Sequence, residues 1–142
     1  MRYKFGNSPF DFLPWVKAFA NPLKNGKKVQ IPIVALIDNY TVSTAELVAM
    51  AIKSFPNGIL IGERTYGATG PVILKELHNS GPFSVGEYLT VNMASAAFKP
   101  IDRKFYEGQG FEPDILVPFN AEALSSGVDL QLEKAISVIL KK

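Results

Sequence analysis

Ser43 is the residue whose setting most readily supports covalent chemistry. It follows a short apolar run, Pro32-Ile33-Val34-Ala35-Leu36-Ile37, and a polar turn, Asp38-Asn39-Tyr40-Thr41-Val42. It precedes a segment in which Leu47, Val48, Ala51, Ile52 and Phe55 recur at helical spacing. A tight strand-to-helix turn exposes the hydroxyl, and the unpaired N–H groups of the helix start can stabilise an oxyanion. The Thr44 N–H is the natural donor. Yet Ser43-Thr44-Ala45-Glu46 also spells a capping box, in which Ser43 caps the third helical amide and Glu46 reaches back to the Ser43 amide. On these residues alone, nucleophile and helix cap are both open.

Other polar side chains offer less. Asp38 and Arg64 flank the candidate site and could pair with each other or hold substrate. Asp114, after Pro113, reads as a turn or ion-pair residue. His78 is the single histidine, and in its strand-like run it reads as an ordinary, partly buried residue. The chain has no cysteine, which excludes disulfides, thiolate zinc sites and a cysteine nucleophile. No metal-ligand spacing, P-loop or G-x-G-x-x-G motif occurs. Neither metal nor cofactor is expected.

The elements that must position Ser43 follow from periodicity. The run 32–37 is short and continuously apolar, as in a strand buried on both faces of a parallel sheet. The helix runs from about Ser43 to Ser54 and ends at Pro56-Asn57-Gly58. Residues 59–62, Ile-Leu-Ile-Gly, form a second buried strand. Strand, helix and strand make a βαβ unit with a right-handed crossover. Residues 72–78 and 88–98 are strand-like, Lys99-Pro100-Ile101-Asp102 is a turn, and Ile115-Leu116-Val117 is a last strand. Asp129 caps a C-terminal amphipathic helix with Leu132, Ala135, Ile136, Ile139 and Leu140 on one face. A short helical turn is predicted within Asp11–Phe19. The class is α/β, and the 142 residues suit a single domain.

A net charge of +2 is too small to argue for nucleic acid or an anionic membrane. Lys24, Lys27 and Lys28 read as a solvated turn around Asn25-Gly26. No apolar stretch approaches the roughly 20 residues that span a bilayer. The first residues, Met1-Arg2-Tyr3-Lys4-Phe5-Gly6, lack the apolar core of a signal peptide.

Three segments in order carry a resemblance. The run Pro32 to Glu46 is similar to the strand, T-A-S-A-S-E nucleophile segment and helix of the tail-specific, or C-terminal-processing, serine peptidase family. Ile61-Gly62-Glu63-Arg64-Thr65-Tyr66-Gly67 resembles that family's G-E-x-T-[FY]-G. Glu107-Gly108-Gln109-Gly110-Phe111-Glu112-Pro113-Asp114-Ile115 resembles its G-x-G-[IV]-x-P-D-[IV]. Each motif alone is weak to moderate; together they cover most of the chain. The resemblance implies a ClpP/crotonase-like spiral core and Ser43 as nucleophile, with the Thr44 amide in the oxyanion hole.

Two departures qualify what is carried over. Members of the Ser-Lys type place a base lysine just after T-[FY]-G; here that position is Ala68, or Thr69 if one residue is inserted. The polar residue that supports that lysine falls on Val72 or Ile73. The tricorn-like branch instead uses a histidine, supported by a glutamate just before G-x-x-P-D. Glu107 holds that glutamate's place, whereas the branch's histidine lies upstream of the nucleophile, and His78 lies downstream. The second departure is the front: no D-x-R-x-N-x-G-G turn precedes Ser43 to supply a second oxyanion amide.

The resemblance therefore implies the C-terminal part of a peptidase catalytic domain, with an exported parent protein in the periplasm or at the cell surface. It implies an extended peptide substrate, one that can carry a free C-terminus, added as a strand beside the sheet. The 142-residue chain by itself is expected to have little activity. A sheet edge left without its leading strands is expected to pair with a second copy, most simply as a homodimer. The rival is a non-catalytic ligand- or peptide-binding module, since retinoid-binding repeats of the eye share the fold. A crotonase-like acyl-CoA enzyme is disfavoured by the serine motif and the Pro-Asp segment.

Overall fold

The structure is a computed structural model that describes residues 2–3, 12–17, 24–26, 30–71, 83–92, 94–100 and 102–141. The predicted strand at 72–78, with His78 in it, lies outside the described residues, as do Asp11, Lys27 and Lys28. By proximity along the backbone the chain divides into two compact units.

The larger unit comprises Lys27–Ala68 and Tyr106–Lys142. Its centre is a three-stranded parallel sheet in the order β2-β3-β7, with β2 at Ile33–Ile37, β3 at Gly58–Gly62 and β7 at Ile115–Leu116. Helix α1, Thr44–Lys53, links β2 to β3, giving the βαβ unit that the periodicity predicts. Side chains alternate along each strand. Ala35, Ile37 and Leu60 join Ala49, Met50 and Ile52 of α1, with Tyr106 and Phe111, in the main core cluster. Leu60 and Ile61 of central β3 are fully buried, each worth about 1.5–3 kcal/mol. Leu36 of β2 is 41% exposed, because among the described residues no strand covers the outer side of β2.

Asp114 pins the end of this layer. Its backbone N–H donates to Leu60 O at 2.8 Å, and its Oδ2 accepts from Leu60 N at 2.9 Å. Its Oδ1 takes a charge-assisted bond from Lys53 in the last turn of α1. The ion-pair reading of Asp114 holds. Asp38 and Arg64, by contrast, do not pair: Arg64 faces Glu112 at 3.9 Å, and Asp38 is engaged in its own turn.

Two short elements close the larger unit. Helix α2, Ala121–Ser125, is capped by Asn120, whose Oδ1 accepts from Ala123 N at 2.8 Å. Helix α3, Leu130–Leu140, is capped by Asp129, as the sequence predicts. It packs on β2 and β3, but only Ala135 of its apolar face is buried. Leu132, Ile136, Ile139 and Leu140 remain exposed.

The smaller unit comprises Met1–Gly26 and Thr69–Phe105. Strand β1, Arg2–Tyr3, pairs antiparallel with β6, Ala96–Ala97, and β4, Phe83–Val85, pairs with β5, Leu89–Val91. The long strand expected at 88–98 is thus two short ones. Residues 12–17 are not helical. Pro14 interrupts them, and Trp15 is held by its ring: it lies 5.9 Å from Phe105, with Arg2 and Lys99 over its face.

Candidate active site

The β2–α1 junction is held in a tight, self-bonded turn. Asp38 Oδ1 accepts from Tyr40 N at 3.0 Å and from Thr41 Oγ1 at 2.9 Å. Thr41 Oγ1 in turn accepts from Asp38 N at 3.0 Å. An aspartate and a threonine three residues apart are the local chemistry of such a turn. The chain then reaches Ser43 at φ 58° and ψ −120°. That is the backbone setting a type II′ turn reserves for glycine. For a serine it stores about 1–3 kcal/mol of strain. Ser43 is exposed.

Something must hold that strain, and Glu46 does. Glu46 is fully buried, yet both oxygens are satisfied. Oε1 accepts from Thr65 Oγ1 at 2.7 Å and Gly67 N at 2.9 Å. Oε2 accepts from Ser43 N at 3.1 Å and Ala68 N at 2.9 Å. One carboxylate therefore ties the strained turn to the loop after β3. Burial of this polar group is tolerable only because every acceptor site finds a donor. The capping box that the sequence spells is present, with the Ser43 side chain at the Glu46 amide and Glu46 reaching back to the Ser43 amide, so this bond was foreseen. The other three bonds were not, because they join residues about twenty positions apart. The helix face expected to be buried also shifts: Glu46 and Ala49 are buried, whereas Val48 and Phe55 are exposed. The inner position of the first turn goes to the carboxylate.

The remaining motif segments lock onto this hub. Thr65 Oγ1, while donating to Glu46, accepts from Phe111 N at 3.0 Å, and Thr65 N donates to Phe111 O at 3.2 Å. Tyr66 N donates to Thr41 O at 3.1 Å. Gly108 N donates to Gly67 O at 2.6 Å. Gly67 and Gly110 are glycines for contact as well as conformation. A Cβ on Gly67 would sit 2.4 Å from Gly110 N, and one on Gly110 would sit 2.0 Å from Thr65 O. Both also have positive φ, at 91° and 65°. The three sequence motifs are thus three strands of one hydrogen-bonded knot.

The predicted site residues lie along these segments. Ser43 sits at the head of α1, and the Thr44 N–H is the first of the helix, without an intrahelical acceptor. Glu107 is exposed in the 106–110 loop, one residue before the Gly108–Gly67 bond. Ala68 offers only its backbone N–H, which Glu46 takes. Among the described residues no histidine or lysine is hydrogen-bonded to the Ser43 hydroxyl, and no cluster of potential metal ligands occurs. The arrangement presents a strained, accessible hydroxyl beside an unpaired helix-start amide. That pairing suits nucleophilic attack on a carbonyl with oxyanion capture.

Residues 11–117 match the model of peptidase family S41. The chain is 32% identical over 127 residues to a tricorn-like protease C-terminal subunit of Sulfurisphaera tokodaii, covering 84% of this chain and 14% of that protein. It is 30% identical over 88 residues to the chloroplastic carboxyl-terminal-processing peptidase 1 of Arabidopsis thaliana, covering 61% and 16%. The chain therefore spans about a seventh of the length of these relatives. In fold it is similar to the crystal structure of the tricorn protease, with a TM-score of 0.66 at 24% identity, over 91% of this chain and 13% of that one. At that identity the structural likeness speaks for the fold alone.

Proposed function

The chain belongs to peptidase family S41, and from that premise we propose that it carries the nucleophile portion of a serine peptidase site. Ser43 Oγ attacks the scissile carbonyl of a peptide, and its proton passes to a base. The carbonyl becomes a tetrahedral oxyanion held by the Thr44 N–H. Collapse expels the amine, which takes up that proton, and leaves an acyl-serine for water to cleave. Glu107 orients or stabilises the base, which comes from residues beyond those described. The observation that carries the reading is the glycine-like backbone of an exposed serine, held by a buried carboxylate.

The test is fluorophosphonate labelling of the longer protein of which this chain would form part, wild type beside Ser43→Ala. Labelling lost in the variant is the expected result. No labelling of either folded protein would return Ser43 to the role of helix cap. It would favour the binding-module reading, which draws on the alanine at position 68. We further propose that in the isolated chain the open side of β2 pairs with a second copy. A monomer by light scattering at high concentration would refute that.

A further inference from the structure

The chain passes between the two compact units three times, and two of the crossings leave directly from the knot around Ser43. One is Ala68–Thr69 and the other is Phe105–Tyr106. Within the larger unit both ends are fastened. Ala68 N is bonded to Glu46 Oε2, the oxygen that also holds Ser43 N. Tyr106 O accepts from Gln109 N at 3.0 Å and from Gly110 N at 2.9 Å, and its ring meets Phe111 edge-on at 5.5 Å. The bond from Gly108 N to Gly67 O ties the two ends together.

Within the smaller unit the same two ends are fastened again. Pro71 O accepts from Ser95 N at 3.0 Å and from Ser95 Oγ at 3.3 Å, and Ser95 is fully buried. Ser95 leads into β6, whose Ala96 and Ala97 pair with Tyr3 and Arg2 of β1. The Arg2 guanidinium lies 4.3 Å over the Phe12 ring and 5.0 Å over Trp15. The Lys99 ammonium bridges Trp15 and Phe105, at 5.1 and 4.2 Å. Phe105 is the last residue before the second crossing. One continuous set of contacts thus runs from Pro71 to Phe105, with Trp15 at its centre. Only Thr69 and Gly70 lie between the Ala68 and Pro71 anchors, which can therefore part by no more than about 10 Å.

We infer that the Trp15 cluster is a remote brace for Ser43: it holds Pro71 and Phe105 in place, and through Ala68 and Tyr106 it keeps Glu46 bonded to the strained turn. Trp15 is a positioning residue. Freedom gained at Pro71 or Phe105 reaches Ala68 and Gly67, whose amides both bond the buried carboxylate. A buried carboxylate that loses a donor no longer offsets the cost of its burial. Glu46 then releases the Ser43 amide, and the backbone relaxes from its strained setting. The consequence for catalysis rests on the peptidase reading, whereas the mechanical coupling does not.

The test follows amide hydrogen exchange of the chain by NMR, with the Leu60 amide of central β3 as the internal reference. In the wild type the Ser43 and Ala68 amides should exchange together with Leu60, as the unit unfolds. In Trp15→Ala they should exchange about 10-fold faster than Leu60, by local opening. Trp15→Phe keeps a ring for Arg2 and Lys99 and should restore the wild-type pattern. Two glycines inserted between Gly70 and Pro71 should act like Trp15→Ala while leaving the aromatic cluster whole. Two inserted between Gly86 and Glu87, in the exposed turn of the β4–β5 hairpin, should change nothing at Ser43. Ser43 exchange that stays locked to Leu60 in Trp15→Ala and in the connector insertion, or that the hairpin insertion releases equally, overturns the inference. Fluorophosphonate labelling of Ser43 in the longer protein is read separately. Normal labelling with Ser43 locked to Leu60 throughout sinks the brace alone. The expected exchange pattern in a protein that never labels sinks the peptidase and leaves the brace standing.

Discussion

The starts of α1 and α3 look alike in sequence and differ in structure. Both place a capping residue before an apolar repeat, with a glutamate in the first turn. Asp129 has an ordinary extended backbone, φ −94° and ψ 99°, and its own side chain caps the helix. Ser43 has a backbone suited to glycine, and the work of holding the turn falls to Glu46, which is buried and bonded across to residues 65, 67 and 68. A residue kept only as a cap has no need of strain or of a distant anchor. Both starts are capped, and the difference is the strained backbone and distant anchor at Ser43, which the proposed role of nucleophile would use.

Substitutions can break or sharpen this contrast. The largest effect is on reactivity. Ser43→Ala in the longer protein should lower fluorophosphonate labelling about 10³-fold or more while shifting stability by less than about 1 kcal/mol. Next is Glu46→Ala, which strands four donors, those of Thr65 and Gly67 buried, and should cost about 3–5 kcal/mol by urea denaturation. Glu46→Gln keeps one acceptor oxygen and should cost less. A Glu46→Ala cost near that of a surface site would mean the hub does not hold the turn. Asp129→Ala should cost about 1 kcal/mol, the loss of one ordinary cap, and Asp129→Asn close to nothing. The smallest effect has the most telling sign. Ser43→Gly should raise stability by about 0.5–1 kcal/mol, because glycine adopts the observed φ without strain. A loss of stability instead would show that the serine side chain serves as a cap.

Much of this was legible beforehand. The apolar run at 33–37, the helix after it and the short strand at 58–62 announce a βαβ unit through local periodicity alone. The three motifs pointed to one site. What they did not reveal was their shared centre. Glu46 looks like a local capping partner because its long-range donors, Thr65, Gly67 and Ala68, are mostly backbone amides, which leave no trace in side-chain pattern. The helix expected near Asp11–Phe19 failed for a related reason. Trp15 is governed by Phe105 and Lys99 far along the chain, not by its neighbours in sequence. Helix α2, at Ala121–Ser125, is five residues long and too short to generate a period.

The carboxylate of Glu46 also imposes a schedule. The turn at Ser43 cannot keep its strained shape until residues 65–68 have arrived to bond the same side chain, and those residues in turn rest on Phe111 and Gly108. A ribosome releases Ser43 well before any of them. The Ser43 amide should therefore exchange its hydrogen only as fast as the whole unit unfolds. A half-made chain therefore holds Ser43 in a relaxed backbone, and the strained turn forms only when the last partner in the knot has been synthesised and docked. Under the proposed peptidase function, that delay would spare the nascent chain and the machinery making it.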